Sequence, residues 1–364
     1  MLTLPRQLSR RLLHLLPLRD RLPAAGVLLL LLLATQSAAP APAQQLVATD
    51  TAASAARART VTIAFGGDIH FEGPLASKLA RDPATVLAPV APLLRRADVA
   101  IANLETAITE RGSAVPKDYN FRAPASALAA LQSAGIDAAS MANNHGMDFG
   151  PVGLTDSLAA GIAGHFPLIG IGRNDTEAFR PYRVVVRGQR IAVIAATDVI
   201  DNALIRSWTA GPRQAGLASA KDVPRITRAV REARTTADTV VVYLHWGVQG
   251  SRCPSAAQRN LADALIKAGA DVVVGTHAHA LQGAGRSGGA FVAYGLGNFA
   301  FYTRSGLGAQ TGVLTLRITG RHVDSYVWSP AVIRSGVPTP LAGLPAAQGV
   351  SAWDTLRTCA DLTP

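Results

Sequence analysis

Aromatic residues make up only 5% of the 364-residue sequence. Aliphatic side chains and alanine must therefore fill any core, and the 49% apolar content is enough for a sizeable one. Lysine is also scarce. It occurs at Lys78, Lys117, Lys221 and Lys267 among 35 basic residues, so the formal charge of +11 rests on arginine. No basic run is interleaved with aromatics, which argues against a nucleic-acid binder. An anionic substrate or an envelope polymer remains compatible with the charge. Cys253 and Cys359 are the only cysteines, and neither has metal-ligand spacing. A disulfide and two free thiols are both compatible with the sequence, which cannot place the pair within bridging distance. No apolar run reaches the ~20 residues that a spanning helix needs.

The N-terminus carries a leader pattern. Arg6, Arg10, Arg11, Arg19 and Arg21 precede an apolar run at Ala24–Ala34, and small residues follow. Cleavage after Ala43 or near Ser37-Ala38-Ala39 fits a secretory signal peptide. Ser9-Arg10-Arg11 loosely resembles a twin-arginine signal. The expected organisation is a signal peptide at 1–43, a linker at 44–59, a domain at 60–330 and a wrapping tail at 331–364. The protein is then exported to the periplasm or cell envelope, and stays membrane-associated if the leader is not cleaved.

From Thr60 onward, short apolar runs alternate with helical patterns, which predicts an α/β domain. The runs at Val61–Phe65, Val99–Ala102, Ala138–Ala142, Val240–Leu244 and Val272–Val274 read as buried strands. Tyr182–Val186 and Ile191–Ala195 read as a hairpin with glycine in the turn. Asp201–Pro212, with Trp208, reads as a lid or binding loop. Gly285-Arg286-Ser287-Gly288-Gly289 has the form of a nucleophile elbow. It lies in a turn before a strand, whereas the elbow needs a strand before it and a helix after it.

Polar groups follow the strands. Asp68 and His70 follow the first, and Asn103 and Glu105 the second. Asn143, Asn144, His145 and Asp148 follow the third. His245 ends the fourth, and His277 and His279 follow the fifth. Asp68 and His70 are two apart, so on extended chain they share one side. Val240–Gln282 reads strand, helix, strand, a parallel unit that brings His245 near His277 and His279. Carboxylate, amide and imidazole together suit zinc, manganese or iron. So many donors suit a pair of divalent ions about 3.5–4 Å apart, bridged by a carboxylate.

These motifs occur in a recognisable order. GGDIH at Gly66–His70 leads, followed by NLE at Asn103–Glu105 and NNHGMDFG at Asn143–Gly150. HWG at His245–Gly247, GADVVVGTHAH at Gly269–His279 and YGLGNF at Tyr294–Phe299 complete the set. The sequence thereby resembles the bacterial CapA family of poly-gamma-glutamate capsule biosynthesis proteins, which is related to the calcineurin-like metallophosphoesterases. The resemblance implies a four-layer αββα sandwich with its metal site at the strand carboxyl ends. It implies Asp68, His70 and His279 on one ion, and Asn144, His245 and His277 on the other. His145 would face the substrate, Asp148 would orient it, and Asn298 would contact the substrate. Asn103-Leu104-Glu105 stands where phosphoesterases carry a bridging aspartate, so Glu105 bridges or Asn103 binds as a neutral ligand. Two functions follow from the likeness: a metal-dependent hydrolase of phosphoesters or polymer amides, and a non-catalytic factor binding the polyanion for capsule machinery at the membrane.

Overall fold

The computed structural model describes residues 59–303 and 305–364. The expected leader and nearly all of the expected linker lie outside the described residues. Among the described residues, no helix is long and apolar enough to cross a membrane.

Two sheets pack face to face. The first is ordered β14-β13-β12-β1-β2-β3-β4, with β11 also pairing to β1. Its strands are β1 (Val61–Ile69), β2 (Val99–Leu104), β3 (Ala138–Ser140) and β4 (Leu168–Ile169), then β11 (Asn298–Ala300), β12 (Gln310–Thr319), β13 (His322–Arg334) and β14 (Val337–Pro340). The second is ordered β9-β10-β8-β7-β6-β5. It comprises β5 (Tyr182–Val186), β6 (Gln189–Thr197), β7 (Thr239–Trp246), β8 (Val272–His277), β9 (Ala284–Ser287) and β10 (Ala290–Ala293). In each sheet the central strands run parallel and an antiparallel arm extends the edge.

Strand periodicity divides the apolar residues among three buried layers. Val241 and Tyr243 of β7 enter the core between the sheets, whereas Val240, Val242, Leu244 and Trp246 face the outside. There they meet helices Val223–Arg234 and Ala256–Ala268. Ile63 and Phe65 of β1, and Val99 and Ile101 of β2, join the inter-sheet core. Ala64, Ala100 and Ala102 face the opposite layer, which holds helices Pro74–Arg81 and Ser126–Ala134. Strands buried on both faces need near-continuous apolar sequence, which is what these runs supply. The architecture is the four-layer αββα sandwich expected from the sequence.

Residues 331–364, expected as a wrapping tail, carry regular elements. Strand β13 runs through position 331, β14 adds an edge strand, and Gly343–Thr355 forms a helix. The prolines that hide this pattern sit where proline is tolerated. Pro338 and Pro340 lie on an edge strand, and Pro345 lies in the first helical turn. Trp353 of this helix stacks on Trp328 of β13, with ring centroids 4.8 Å apart. The segment is thus part of the sandwich's packing.

Cys253 and Cys359 form a disulfide across 106 residues. It ties the loop before helix Ala256–Ala268 to the chain's last turn. Replacing both cysteines by serine is expected to lower stability by about 4 kcal/mol, because the closed loop is long. Scanning calorimetry checks this; an unchanged midpoint would refute a stabilising bridge.

Candidate metal centre

The period of two that builds the inter-sheet core also aims the polar groups. His245 has the parity of Val241 and Tyr243, so it enters the space between the sheets. Asn103 has the parity of Val99 and Ile101 and does the same from the other sheet. His277 and His279 arrive differently. Both take positive φ, 87° and 51°, just where β8 ends. A left-handed backbone is strained for histidine and re-aims these rings towards the opposite sheet. Gly67 supports the approach of β11 to β1. A Cβ there would lie 2.0 Å from the Gly297 carbonyl oxygen, which accepts the Asp68 N–H at 2.9 Å.

Two overlapping donor groups result. Asp68, Glu105 and His245 offer ligand atoms within 4.8 Å of one another, and so do Glu105, His277 and His279. Glu105 belongs to both. Its carboxylate is fully buried, and neither oxygen has a hydrogen-bond partner. Three imidazoles surround it: His245 Nε2 at 3.4 Å, His279 Nε2 at 3.8 Å and His145 Nε2 at 4.0 Å from Oε1. Burial, reinforced by the Asp68 charge, pushes the Glu105 carboxyl up to about 8. Burial also pushes His245 down to about 3 and His277 to about 2, so both rings are neutral donors. Burial would lower His279 as well, but Glu105 and Asp68 raise it to about 9. Burial would raise Asp68, yet its hydrogen bond to His279 and the charges of His245 and His279 hold it at about 2.

A buried carboxyl with no hydrogen-bond partner is costly unless protonated or answered by a cation. The donor set therefore fits divalent cations, with Glu105 shared between the two groups. Neighbouring side chains fix the rings. His279 Nδ1 donates to Asn298 Oδ1 at 2.7 Å, and Asn298 Nδ2 donates to the Gly308 carbonyl at 2.9 Å. Thr276 Oγ1 lies 3.1 Å from His245 Nδ1. Such outer contacts orient ligands and set the tautomer. Asn298 thus positions His279 within the protein.

His70 and Asn103 have partners within the protein. His70 lies outside both donor groups. Its Nδ1 accepts the Glu72 N–H at 3.0 Å, its Nε2 faces the Tyr302 N–H at 3.2 Å, and its ring stacks on Phe121. Asn103 also serves as a brace. It donates to Asp68 Oδ1 at 2.8 Å and accepts from Asn143 Nδ2 at 3.0 Å. Asn144 does reach the cluster, with Oδ1 2.7 Å from His245 Nε2.

His145 stands beside the cluster. Its ring stacks on Phe121 at 4.1 Å, and Nδ1 meets Asp148 Oδ2 at 2.6 Å. Asp148 is itself held by Lys117 Nζ at 2.7 Å and the Phe121 N–H at 2.6 Å. Lys117 and Phe121 escaped the sequence reading. The scarcity of lysine was the one available signal for Lys117. Trp208, read as a lid residue, is buried in the outer core with Lys117 Nζ 5.4 Å from its ring. A cleft of about 200 Å³ opens over His145, His277 and His279, walled by Phe121, Phe301 and Tyr302.

The shifts predict how metal-free protein responds to alkali. Glu105 and His279 hold protons in the folded state that the unfolded chain releases nearer 4.5 and 6.5. Raised folded values mean stability is lost as pH rises through them. Chelated protein is expected to lose thermal stability from pH 6.5 to about 9, and Glu105→Gln to flatten that slope and reduce bound metal about tenfold or more. Melting curves with elemental analysis check both; a variant with wild-type slope and metal content would sink the shared-ligand assignment.

The chain is 27% identical over 266 residues to the PGA biosynthesis protein CapA of Bacillus subtilis (strain 168), covering 69% of this chain and 66% of that protein. It is 30% identical over 284 residues to the capsule biosynthesis protein CapA of Bacillus anthracis, covering 75% of this chain and 66% of that one. The chain thus spans 66% of the length of each of these relatives. Among solved structures, a hypothetical protein from Thermus thermophilus aligns with a TM-score of 0.47 and 16% identity, over 75% of this chain and 100% of that one. The family model described as bacterial capsule synthesis protein PGA_cap matches residues 62–303, which hold every member of the metal cluster, and the chain belongs to that family.

Proposed function

We propose that this protein is an exported, metal-dependent hydrolase in the synthesis of an anionic capsule polymer, acting on a phosphoester or on an amide of the polymer. The observation that carries the reading is the His145–Asp148 pair. An imidazole whose Nδ1 is held by a buried carboxylate, and whose Nε2 faces the shared Glu105 across 4.0 Å, is built for proton transfer beside the metal cluster. The names of the Bacillus relatives support the capsule assignment. The disulfide supports export, because such bridges persist in oxidising compartments.

Asp68, Glu105 and His245 would hold one divalent ion; Glu105, His277 and His279 would hold the second, with Asn144 at the junction. Zinc, manganese and iron match these donors. Bound there, the ions supply Lewis-acid polarisation and an acidified water. The chain's own residues do the rest. Asp148 holds a proton on His145 Nδ1, so in the doubly protonated ring the second proton sits on Nε2; that proton passes to the leaving group and leaves the neutral Nδ1–H ring. Lys117 and the Phe121 N–H hold Asp148 in place. Phe121 and His70 stack against each other, and Phe301 meets His70 edge-on, closing one side of the cleft to water.

His145→Ala is expected to lower kcat by about 10²–10⁴ with metal content unchanged. Asp148→Asn is expected to lower kcat less, since it disturbs orientation and tautomer only. The assay is hydrolysis of phosphoesters and of poly-gamma-glutamate by metal-loaded protein. Metal retention without turnover on either class would overturn the hydrolase reading and favour a non-catalytic polyanion-binding factor.

A further inference from the structure

The cleft over the metal cluster has a lip whose chemistry differs from that of its floor. Four of the chain's few aromatic side chains line it: Tyr119, Phe121, Phe301 and Tyr302. The two phenylalanines are committed to the protein. Phe121 stacks on His70 and His145, with centroids 4.8 and 4.1 Å away, and Phe301 lies 4.1 Å from His70 and 4.9 Å from His279. Both are buried. The two tyrosines are open. Tyr119 is 63% exposed and Tyr302 38%, and among the described residues no other phenylalanine, tyrosine or tryptophan is exposed. Neither phenol hydroxyl makes a hydrogen bond with the described residues. A chain that buries every other aromatic thus leaves two at the entrance to one cleft.

The backbone that carries these rings is held. Asn120 Nδ2 donates to the carbonyls of Val115 and Lys117 at 3.2 Å each, beside Tyr119. The Tyr302 N–H donates to His70 Nε2 at 3.2 Å. Gln249 completes the lip. Its amide is exposed and makes no hydrogen bond with the described residues, while the next N–H, of Gly250, donates to the Ala278 carbonyl at 2.7 Å. Among the described residues that line the cleft there is no lysine, arginine, aspartate or glutamate. The charge of a substrate is therefore answered at the cluster, and the part that rests on the lip is neutral. Tyrosine offers an apolar face and a polar tip, and a glutamine amide both gives and accepts hydrogen bonds. A sugar ring matches both, with a face of C–H bonds and a rim of hydroxyls. A carboxylate there would meet no cation, and an alkyl chain would leave the hydroxyls and the amide unanswered. We propose that Tyr119, Tyr302 and Gln249 form a subsite for a sugar ring, so that the ester cleaved at the cluster is a sugar phosphate. This rests on the hydrolase reading and narrows its substrate class. Water adds to phosphorus, the bond from phosphorus to the sugar oxygen breaks, and the His145 Nε2 proton passes to that oxygen. The products are a free sugar hydroxyl and phosphate, and the proton shed by the water restores His145 through solvent.

Binding is read apart from turnover. Metal-loaded His145→Ala protein is titrated by calorimetry with glucose 1-phosphate and with glycerol 1-phosphate, which carry the same phosphate on a ring and on an open chain. Glucose 1-phosphate is expected to bind about tenfold more tightly. Adding Tyr119→Ala or Tyr302→Ala is expected to remove most of that preference and to shift glycerol 1-phosphate less than about twofold. Tyr119 is exposed, so its variant folds, and an unaltered metal content checks both. Equal affinity for the two esters overturns the subsite, as does a preference that both tyrosine variants leave unaltered. Tighter binding of phenyl phosphate than of glucose 1-phosphate assigns the lip to an aromatic group and overturns it too. Wild-type protein that turns over neither ester, with the preference intact, defeats the hydrolase reading and leaves the subsite standing.

Discussion

A carboxylate buried without a donor governs the centre of this protein. Glu105 sits where the two sheets converge, and neither oxygen has a hydrogen-bond partner. Such a group is tolerated only if protonated or faced by positive charge. Three imidazoles and a second carboxylate surround it, and the surrounding amides are already committed to holding those groups. Asn103 braces Asp68, Asn298 braces His279, and Thr276 contacts His245. The cluster is therefore oriented before any ion arrives, which is how donor sets gain affinity and selectivity.

The sandwich makes this convergence possible. One face of each sheet forms the inter-sheet core, and the parallel strands β1, β2, β7 and β8 end at Asp68, Asn103–Glu105, His245 and His277 around the same gap. Carboxyl ends of parallel strands are where open α/β sheets place ligands. Here two sheets do so against each other. One supplies Asp68 and Glu105, and the other supplies His245, His277 and His279. The positive φ values at His277 and His279 are the local strain this geometry demands.

Towards the other end of β13, the same logic of close approach shapes the C-terminal helix. Gly312 and Gly349 let an indole and a helix lie flat against the sheet, and Trp353 stacks on Trp328. The disulfide then fixes both the last turn and the loop bearing Arg252. Residues 331–364 thus cover one end of the inter-sheet core.

Much was legible in one dimension. Apolar runs of strand length, alternating with helical spacing and ending in polar groups, were enough for the α/β class and for naming Asp68, Glu105, His145, His245, His277 and His279. Those inferences rest on periodicity, which is local. What only tertiary structure decided depends on distance between segments remote in sequence. It made Glu105 the shared member of two donor groups, since its neighbours come from the opposite sheet. It set His70 between the N–H groups of Glu72 and Tyr302 and against Phe121. It paired Cys253 with Cys359 across 106 residues, and it brought Lys117, from a loop with no pattern, onto Asp148. Sequence determines which chemical groups are present and which face of a strand they take; the packing of two sheets determines which of them meet.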